Sequence, residues 1–383
     1  MKRLVCSMDG TWNDDVEALP STNVAKLTRA VLPFDDHGVR QLVRYVAGIP
    51  ASQEGSMSFE EASGSEIGER IRAAYHFLSN TYEPGDEIYL FGFSRGAYEA
   101  RSLASFIALF GIARKDAGFS IENAWRVYRQ SERQRDFNAV AELSDACHYP
   151  VRIRCIGVWD TVEYAGTSRW SWGWLRRRQS YHDIRWHDTV DIALHALAID
   201  ETRRAFRPAM FTLDQDIALP PHQHVEQTWF AGSHGDVGGG WPETELSDIT
   251  LLWMAAKIRS TTDLAIDIEK LQRESSPDPL GLQHAPSNGW RYALGQRLPY
   301  LRFIQYDVRN RRTNRHPNGQ ASLNETIDES ALARLGQTIR EMYGRRIEER
   351  IYQPPALQTH ISESSEDEAL AVAAESLLAQ PRQ

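Results

Sequence analysis

Three cysteines in 383 residues exclude a disulfide-stapled scaffold, and Cys6, Cys147 and Cys155 are too scattered to form a zinc knuckle. Thiols this sparse read as reduced, which points to folding in a cytoplasm. No apolar stretch approaches the length needed to span a bilayer. We expect no secretory leader, because Lys2 and Arg3 precede only a short apolar run before Asp9-Gly10. Positive charge is also in deficit. Asp and Glu number 52 against 43 for Lys and Arg, a formal net charge of -9, which argues against general nucleic-acid binding. There is no internal repeat. What is present is an ordinary hydrophobic fraction of 42%, enough for one large domain with insertions or two smaller ones.

Strand-like and helix-like segments alternate, which predicts an α/β fold with a mostly parallel sheet covered by helices on both faces. Arg3 to Met8 reads as a buried strand at the sheet centre, and Ser21 or Thr22 caps a helix through Val24, Leu27 and Ala30. Gln41 to Ala47 reads as a strand, Gly48 to Gly64 as a long loop, and Glu66 to Tyr82 as an amphipathic helix. Ser120 to Ala146 is expected to be helical, Val151 to Val158 a strand, and His187 to Ala198 helical by its spacing. Gln227 to Ala231 reads as a buried strand, followed by a glycine-rich loop from Gly232 to Gly240 that we expect to be irregular. Ser247 is expected to cap a helix through Leu251, Met254 and Ala255. Beyond about residue 262 the periodicity weakens, and the stretch to Gly289 reads as loop. The predicted organisation is a catalytic domain over 1–262, a less regular extension over 263–355, and an acidic, Ala-rich tail over 356–383.

The most informative segment is Glu87 to Tyr98, where an apolar strand enters Gly92-Phe93-Ser94-Arg95-Gly96 and a helical run leaves it. This is the context of a nucleophile elbow, in which a sharp strand-to-helix turn lifts a serine above the sheet. Glycines on both sides keep Cβ atoms out of that turn. An alcohol is a weak nucleophile at neutral pH, so Ser94 needs a base, and the base needs an orienting acid. In this fold the chain order is serine, acid, histidine, and strand ends supply Ser94, Asp160 and His234 in that order. His187, His195, His222 and His224 are rival bases in poorer positions. Asp200, Asp236 and Asp248 are rival acids, with Asp236 an alternative support for the His234 loop and Asp248 better placed at a helix N-terminus. The oxyanion needs two donors, which we assign to the backbone N–H of Arg95 and to the loop after the first strand, at Gly10-Thr11-Trp12. Asp9 and Trp159 adjoin these loops and join the substrate-binding or supporting candidates.

Three other motifs compete. Asp9-Gly10-Thr11 lacks the nucleophilic carboxylate of the phosphatase pattern Asp-x-Asp-Gly-Thr, since Ser7 occupies that place. Gly238-Gly239-Gly240 has no following Walker lysine. Asp9, Asp160 and Asp236 together suggest a divalent-cation site and a metal-dependent phosphodiesterase, which would leave the Ser94 turn without a purpose. We therefore expect neither metal nor cofactor.

Six stretches carry a resemblance to a known family. They are Met8-Asp9-Gly10-Thr11-Trp12-Asn13, Gly92 to Tyr98, Gly157 to Val162, Ala198-Ile199-Asp200-Glu201 with Arg203 to Pro208, Trp229 to Gly240, and Leu246 to Ile249. In this order they resemble the α/β-hydrolase family that supplies the catalytic domain of type VI secretion phospholipase effectors (Tle-like). The resemblance implies a Ser-Asp-His hydrolase of acyl esters, with phospholipids a substrate class. It carries Ser94, Asp160 and His234 over as the triad. It also implies export by a non-Sec route and a secretion-apparatus or immunity-protein partner. A binding or toxin-partner module that keeps the fold without turnover is the alternative.

The lid-like insertion at about 162–187 stands apart in composition. Trp170, Trp172 and Trp174 beside Arg176, Arg177 and Arg178 suit a peripheral membrane contact or a lid, or an insertion that packs on the domain with solvated arginines. Arg203, Arg204 and Arg207 are candidates to bind a substrate phosphate, or to pair with Asp200 or Glu201 on a helix surface.

Overall fold

The computed structural model describes residues 1–10, 21–48, 62–162, 187–214, 219–286, 300–302, 304 and 320–357. Thr11, the Trp170 to Arg178 cluster and residues 358–383 of the tail lie outside them.

Seven strands form one sheet. Numbered in chain order they are β1 (Arg3–Met8), β2 (Gln41–Val46), β3 (Glu87–Phe93), β4 (Ile153–Trp159), β5 (Val190–Ala198), β6 (His224–Phe230) and β7 (Glu325–Ile327). Their order across the sheet is β7-β6-β5-β4-β3-β1-β2, and every pairing is parallel. The fold is α/β. β1 sits between β3 and the edge strand β2, one place from the rim rather than at the centre.

Helices bury both faces. On one lie α2 (Ala62–Thr81), α3 (Arg95–Phe110) and α4 (Ile121–Tyr128), whose Ile71, Tyr75, Leu103 and Phe106 pack on Leu4, Ile88 and Leu90. On the other lie α1 (Asn23–Ala30), α7 (Glu245–Thr261) and α8 (Ile268–Glu274), with Leu27, Leu251, Met254 and Leu271 against Val5, Tyr89, Phe91 and Trp159. Side chains that alternate along β3 thus feed two separate cores. A third cluster joins Leu197 and Trp229 of β5 and β6 to Ile304, Leu335, Ile339 and Tyr352.

Several expectations are corrected. His187 to Ala198 is not helical: Val190–Ala198 is strand β5, buried along nearly its whole length. A strand covered on both faces loses the polar alternation that would betray it, and its short apolar run then fits a helix equally well. The Ser120 to Ala146 region breaks into α4, capped by Ser120, and α5 (Phe137–Ser144), capped by Asp136. Gly232 to Gly240 is not wholly irregular, because His234–Gly238 forms the short helix α6. Asp236, its third residue, accepts from the Ser233 N–H at 2.8 Å, and Gly239 ends it at φ +84°. Helix α7 starts after Thr244, two residues before the expected Ser247 cap, and the loop-like stretch beyond 262 contains α8, capped by Asp267.

The turn between β3 and α3 is tight. A Cβ on Gly96 would drive into the Met8 carbonyl at the end of β1, and one on Gly92 into the Gly96 and Ala97 backbone. Backbone cannot yield as a flexible side chain can. Gly96→Ala should therefore cost about 1–3 kcal/mol, the scale of overpacking, read as a lower urea midpoint with an unchanged m-value.

Candidate active site

Parallel strands present their carboxyl ends, and the loops that leave them, along one rim of the sheet. Phe93 of β3 pairs in register with Trp159 of β4, so Ser94 and Asp160 leave adjacent strand tips. The Ser94 N–H donates to the Trp159 carbonyl at 3.0 Å, closing the two tips together. Ser94 has φ +58° and Asp160 φ +39°, a left-handed region that non-glycine residues rarely occupy. Strain of this kind is what a nucleophile elbow requires. Ser94 is buried at the start of α3, whose first residue is Arg95. The helix N-terminus there favours negative charge.

His234 opens α6, four residues past the end of β6. Its Nδ1 lies 2.5 Å from Asp160 Oδ2. Its ring packs between Phe93, with centroids 4.6 Å apart, and Phe206, at 4.9 Å. The side chain is therefore beside the residue that precedes Ser94. His234 Nε2 is buried without a hydrogen-bond partner among the described residues. Burial lowers the His234 pKa, and the Asp160 hydrogen bond and charge only partly offset this, so the imidazole is held neutral below its usual range.

Asp160 is wholly buried. Burial alone would raise its pKa, but the Arg302 guanidinium and the bond to His234 outweigh it and hold the carboxyl well below the usual range. Arg302 Nη1 and Nη2 reach Asp160 Oδ1 and Oδ2 at 2.5 and 3.0 Å, and the Ala198 N–H donates to Oδ1 at 3.2 Å. Arg302 was missed in the sequence, where it lies in the weakly periodic region. A lone arginine in the apolar stretch Leu301 to Ile304 was the available signal.

The other candidates surround this pair. Asp200 accepts from the Gly232 N–H at 2.7 Å and the Tyr352 hydroxyl at 2.9 Å, and burial raises its pKa to about 6. Glu201 accepts from the Arg203 backbone N–H at 2.8 Å and from its guanidinium at 2.8 and 2.7 Å, in a non-helical segment, and that guanidinium lies 3.6 Å from the Phe206 ring centre. Asp9 accepts from the Thr22 and Tyr45 hydroxyls, each at 2.6 Å. Its carbonyl is held by Arg70 at 2.8 Å, and Arg70 is paired with buried Glu99. Trp159 contributes its backbone; its ring is in the core.

The rivals have separate roles. His195 is in β5, not a helix; it accepts from the Thr161 N–H at 3.1 Å, and its burial pushes its pKa down to about 3. His187 meets Ser105, exposed His224 faces Glu226, and Asp248 pairs with Lys26. Asp9, Asp160 and Asp236 are committed to different partners, and no group of three His, Cys, Asp or Glu side chains among the described residues is placed to hold a metal ion.

Asp236 does brace the His234 helix. Its carboxylate meets His284 Nδ1 at 2.6 Å, while His284 Nε2 faces Glu243 at 3.3 Å and the ring stacks on Trp241. His284 was also missed, being a single histidine with no motif around it.

A model of the family described as T6SS, phospholipase effector Tle1-like, catalytic domain matches residues 2–257. The chain belongs to this family. It is 27% identical over 239 residues to the uncharacterized protein YEL023C of Saccharomyces cerevisiae, covering 55% of this chain and 33% of the yeast protein. Similar solved structures include an uncharacterized protein from Pseudomonas aeruginosa, at 17% identity and TM-score 0.39, covering 71% of this chain and 47% of that one. Another is the Tle1 effector bound to the VgrG spike of the type 6 secretion system, at 17% identity and TM-score 0.37, covering 63% and 52%. The chain thus spans a third of the yeast relative and about half of each solved chain. No described helix is long and apolar enough to cross a membrane.

Burial works to lower the His284 pKa, but its two carboxylate partners more than compensate and raise it. A raised folded pKa stabilises fully below the unfolded value, ~6.5, and that contribution is lost as pH rises through the folded value. The melting-temperature gap between wild type and His284→Gln should therefore be widest near pH 5 and narrow towards pH 9. A gap that is constant across this range would show that the imidazole binds as the neutral form.

Proposed function

We propose that this chain is a serine hydrolase of carboxylic esters, acting on a lipid or phospholipid through Ser94, His234 and Asp160. The observation that carries this reading is the Asp160–His234 contact of 2.5 Å, with Nε2 unpartnered among the described residues beside a strained serine turn. Membership of a phospholipase effector family supports the substrate class.

In this reading Ser94 Oγ attacks the ester carbonyl carbon while His234 Nε2 takes its proton. The resulting imidazolium is stabilised by Asp160, whose low proton affinity keeps it a carboxylate throughout. In the same reading the backbone N–H of Arg95, the first residue of α3, donates to the oxyanion; Thr11, the second expected donor, lies outside the described residues. Collapse of the tetrahedral species expels the alcohol, which receives the proton from His234. Water then repeats the sequence on the acyl-enzyme and releases the acid. The family description also supports delivery by a non-Sec route through a type VI secretion apparatus, with a component of that apparatus as partner; an immunity-protein partner rests on the sequence resemblance alone.

Ser94→Ala should lower ester turnover by ~10^4 or more and abolish labelling by a fluorophosphonate. Full activity in that variant sinks the assignment, and a stable protein that neither labels nor hydrolyses a lipid panel would favour the non-catalytic binding module. A second expectation concerns pH. Because burial lowers the His234 pKa, the neutral base persists to lower pH, and the acid limb of kcat/KM should fall below the ~6.5 of a free imidazole.

A further inference from the structure

Asp160 has no access to water, and a buried carboxylate is costly unless it is paired and hydrogen-bonded. The guanidinium that pairs with it, that of Arg302, comes from outside the matched catalytic segment, which ends at residue 257. Arg302 is itself fully buried, and its two terminal nitrogens each serve two acceptors. Nη1 meets Asp160 Oδ1 and the Ala198 carbonyl at 2.8 Å; Nη2 meets Asp160 Oδ2 and the Phe206 carbonyl at 2.6 Å. The guanidinium therefore ties the Asp160 carboxylate to the end of β5 and to the turn carrying Phe206, whose ring packs on His234. A planar fork spanning both oxygens fixes the rotation of the carboxylate, and an ammonium cannot reproduce that geometry.

We infer that Arg302 is the positioning residue of the active site, setting the rotation and charge of Asp160 so that Oδ2 faces His234 Nδ1. This rests on the serine-hydrolase reading of Ser94, His234 and Asp160. Four charged groups bear on the imidazole: Asp160 in direct contact, Glu201 and Arg203 beside it, and Arg302 through Asp160. His195, on the neighbouring strand, also feels Asp160 and Arg302. Removing the guanidinium takes one positive charge from this set. Both Asp160 and His234 then hold protons more tightly, so the acid limb of the pH–rate profile moves to higher pH.

The test measures kcat/KM against pH on the full chain with a short-chain p-nitrophenyl ester, together with fluorophosphonate labelling rates. Wild type is compared with Arg302→Gln, Arg302→Lys, Asp160→Asn and Ser94→Ala, each checked for folding by circular dichroism. Arg302→Gln should lose about 10- to 100-fold, the scale on which groups behind a contacting residue act, and shift its acid limb upward. Arg302→Lys should keep the limb, because the charge remains, yet fall about tenfold in kcat because the fork is gone. An Arg302→Gln protein with the wild-type rate and limb overturns the inference. If that variant does not fold, a wild-type kcat in Arg302→Lys does the same. Silence of Ser94→Ala and Asp160→Asn beside an unaffected Arg302→Gln removes only the role of Arg302, whereas an active Ser94→Ala removes the serine-hydrolase reading as well.

Discussion

One carboxylate sealed from water organises this site. Asp160 must remain ionised where burial opposes ionisation, and the structure meets that demand with a guanidinium, an imidazole and a backbone N–H. Each partner comes from a different part of the chain: residue 302, the turn after β6, and the end of β5. Satisfying one buried charge thereby fixes three segments relative to one another. In a low-dielectric setting an unmatched partner would cost several kcal/mol, so the arrangement resists partial assembly.

The same logic recurs around the rim. Asp200 holds the Gly232 N–H at the entrance to the His234 turn, and Asp236 with His284 braces the helix that begins at His234. Beneath the first loop, Arg70 binds the Asp9 carbonyl while buried Glu99 holds Arg70, and burial raises the Glu99 pKa to about 7. Among these groups Asp200, Asp236 and Arg70 each hold a backbone amide or carbonyl of the loops that leave β1 and β6. Backbone at the tips of a parallel sheet has lost its ladder partners, so buried side chains take over that task. The side chains that face the proposed chemistry thus stand on a layer of buried polar supports, with the apolar cores behind.

Much of this was legible in the sequence, and the failures have physical causes. The strand entering Ser94 and the helix leaving it were readable because the glycines at 92 and 96 admit only a close approach of backbone. Asp160 and His234 were readable as strand-end residues, and the structure brings them into contact. β5 was misread because burial on both faces erases the alternation that identifies a strand. The helix at His234 was missed because five glycine-rich residues carry almost no periodic signal, and the Asp236 cap and tertiary contacts define it. Arg302 and His284 were missed because their partners lie 142 and 48 residues away along the chain.

Local order is what the chain encodes on its own: which runs prefer strand or helix, where glycine permits a sharp turn, and which side chains leave strand tips. Those features depend on near neighbours, and they place a serine, an acid and a histidine on one rim in a definite order. Which histidine meets which acid, which arginine neutralises it, and how rotation of the carboxylate is set were decided only in three dimensions. Charge pairing depends on distance through space and on the exclusion of water, and neither quantity exists until the sheet and its helices have closed around the site.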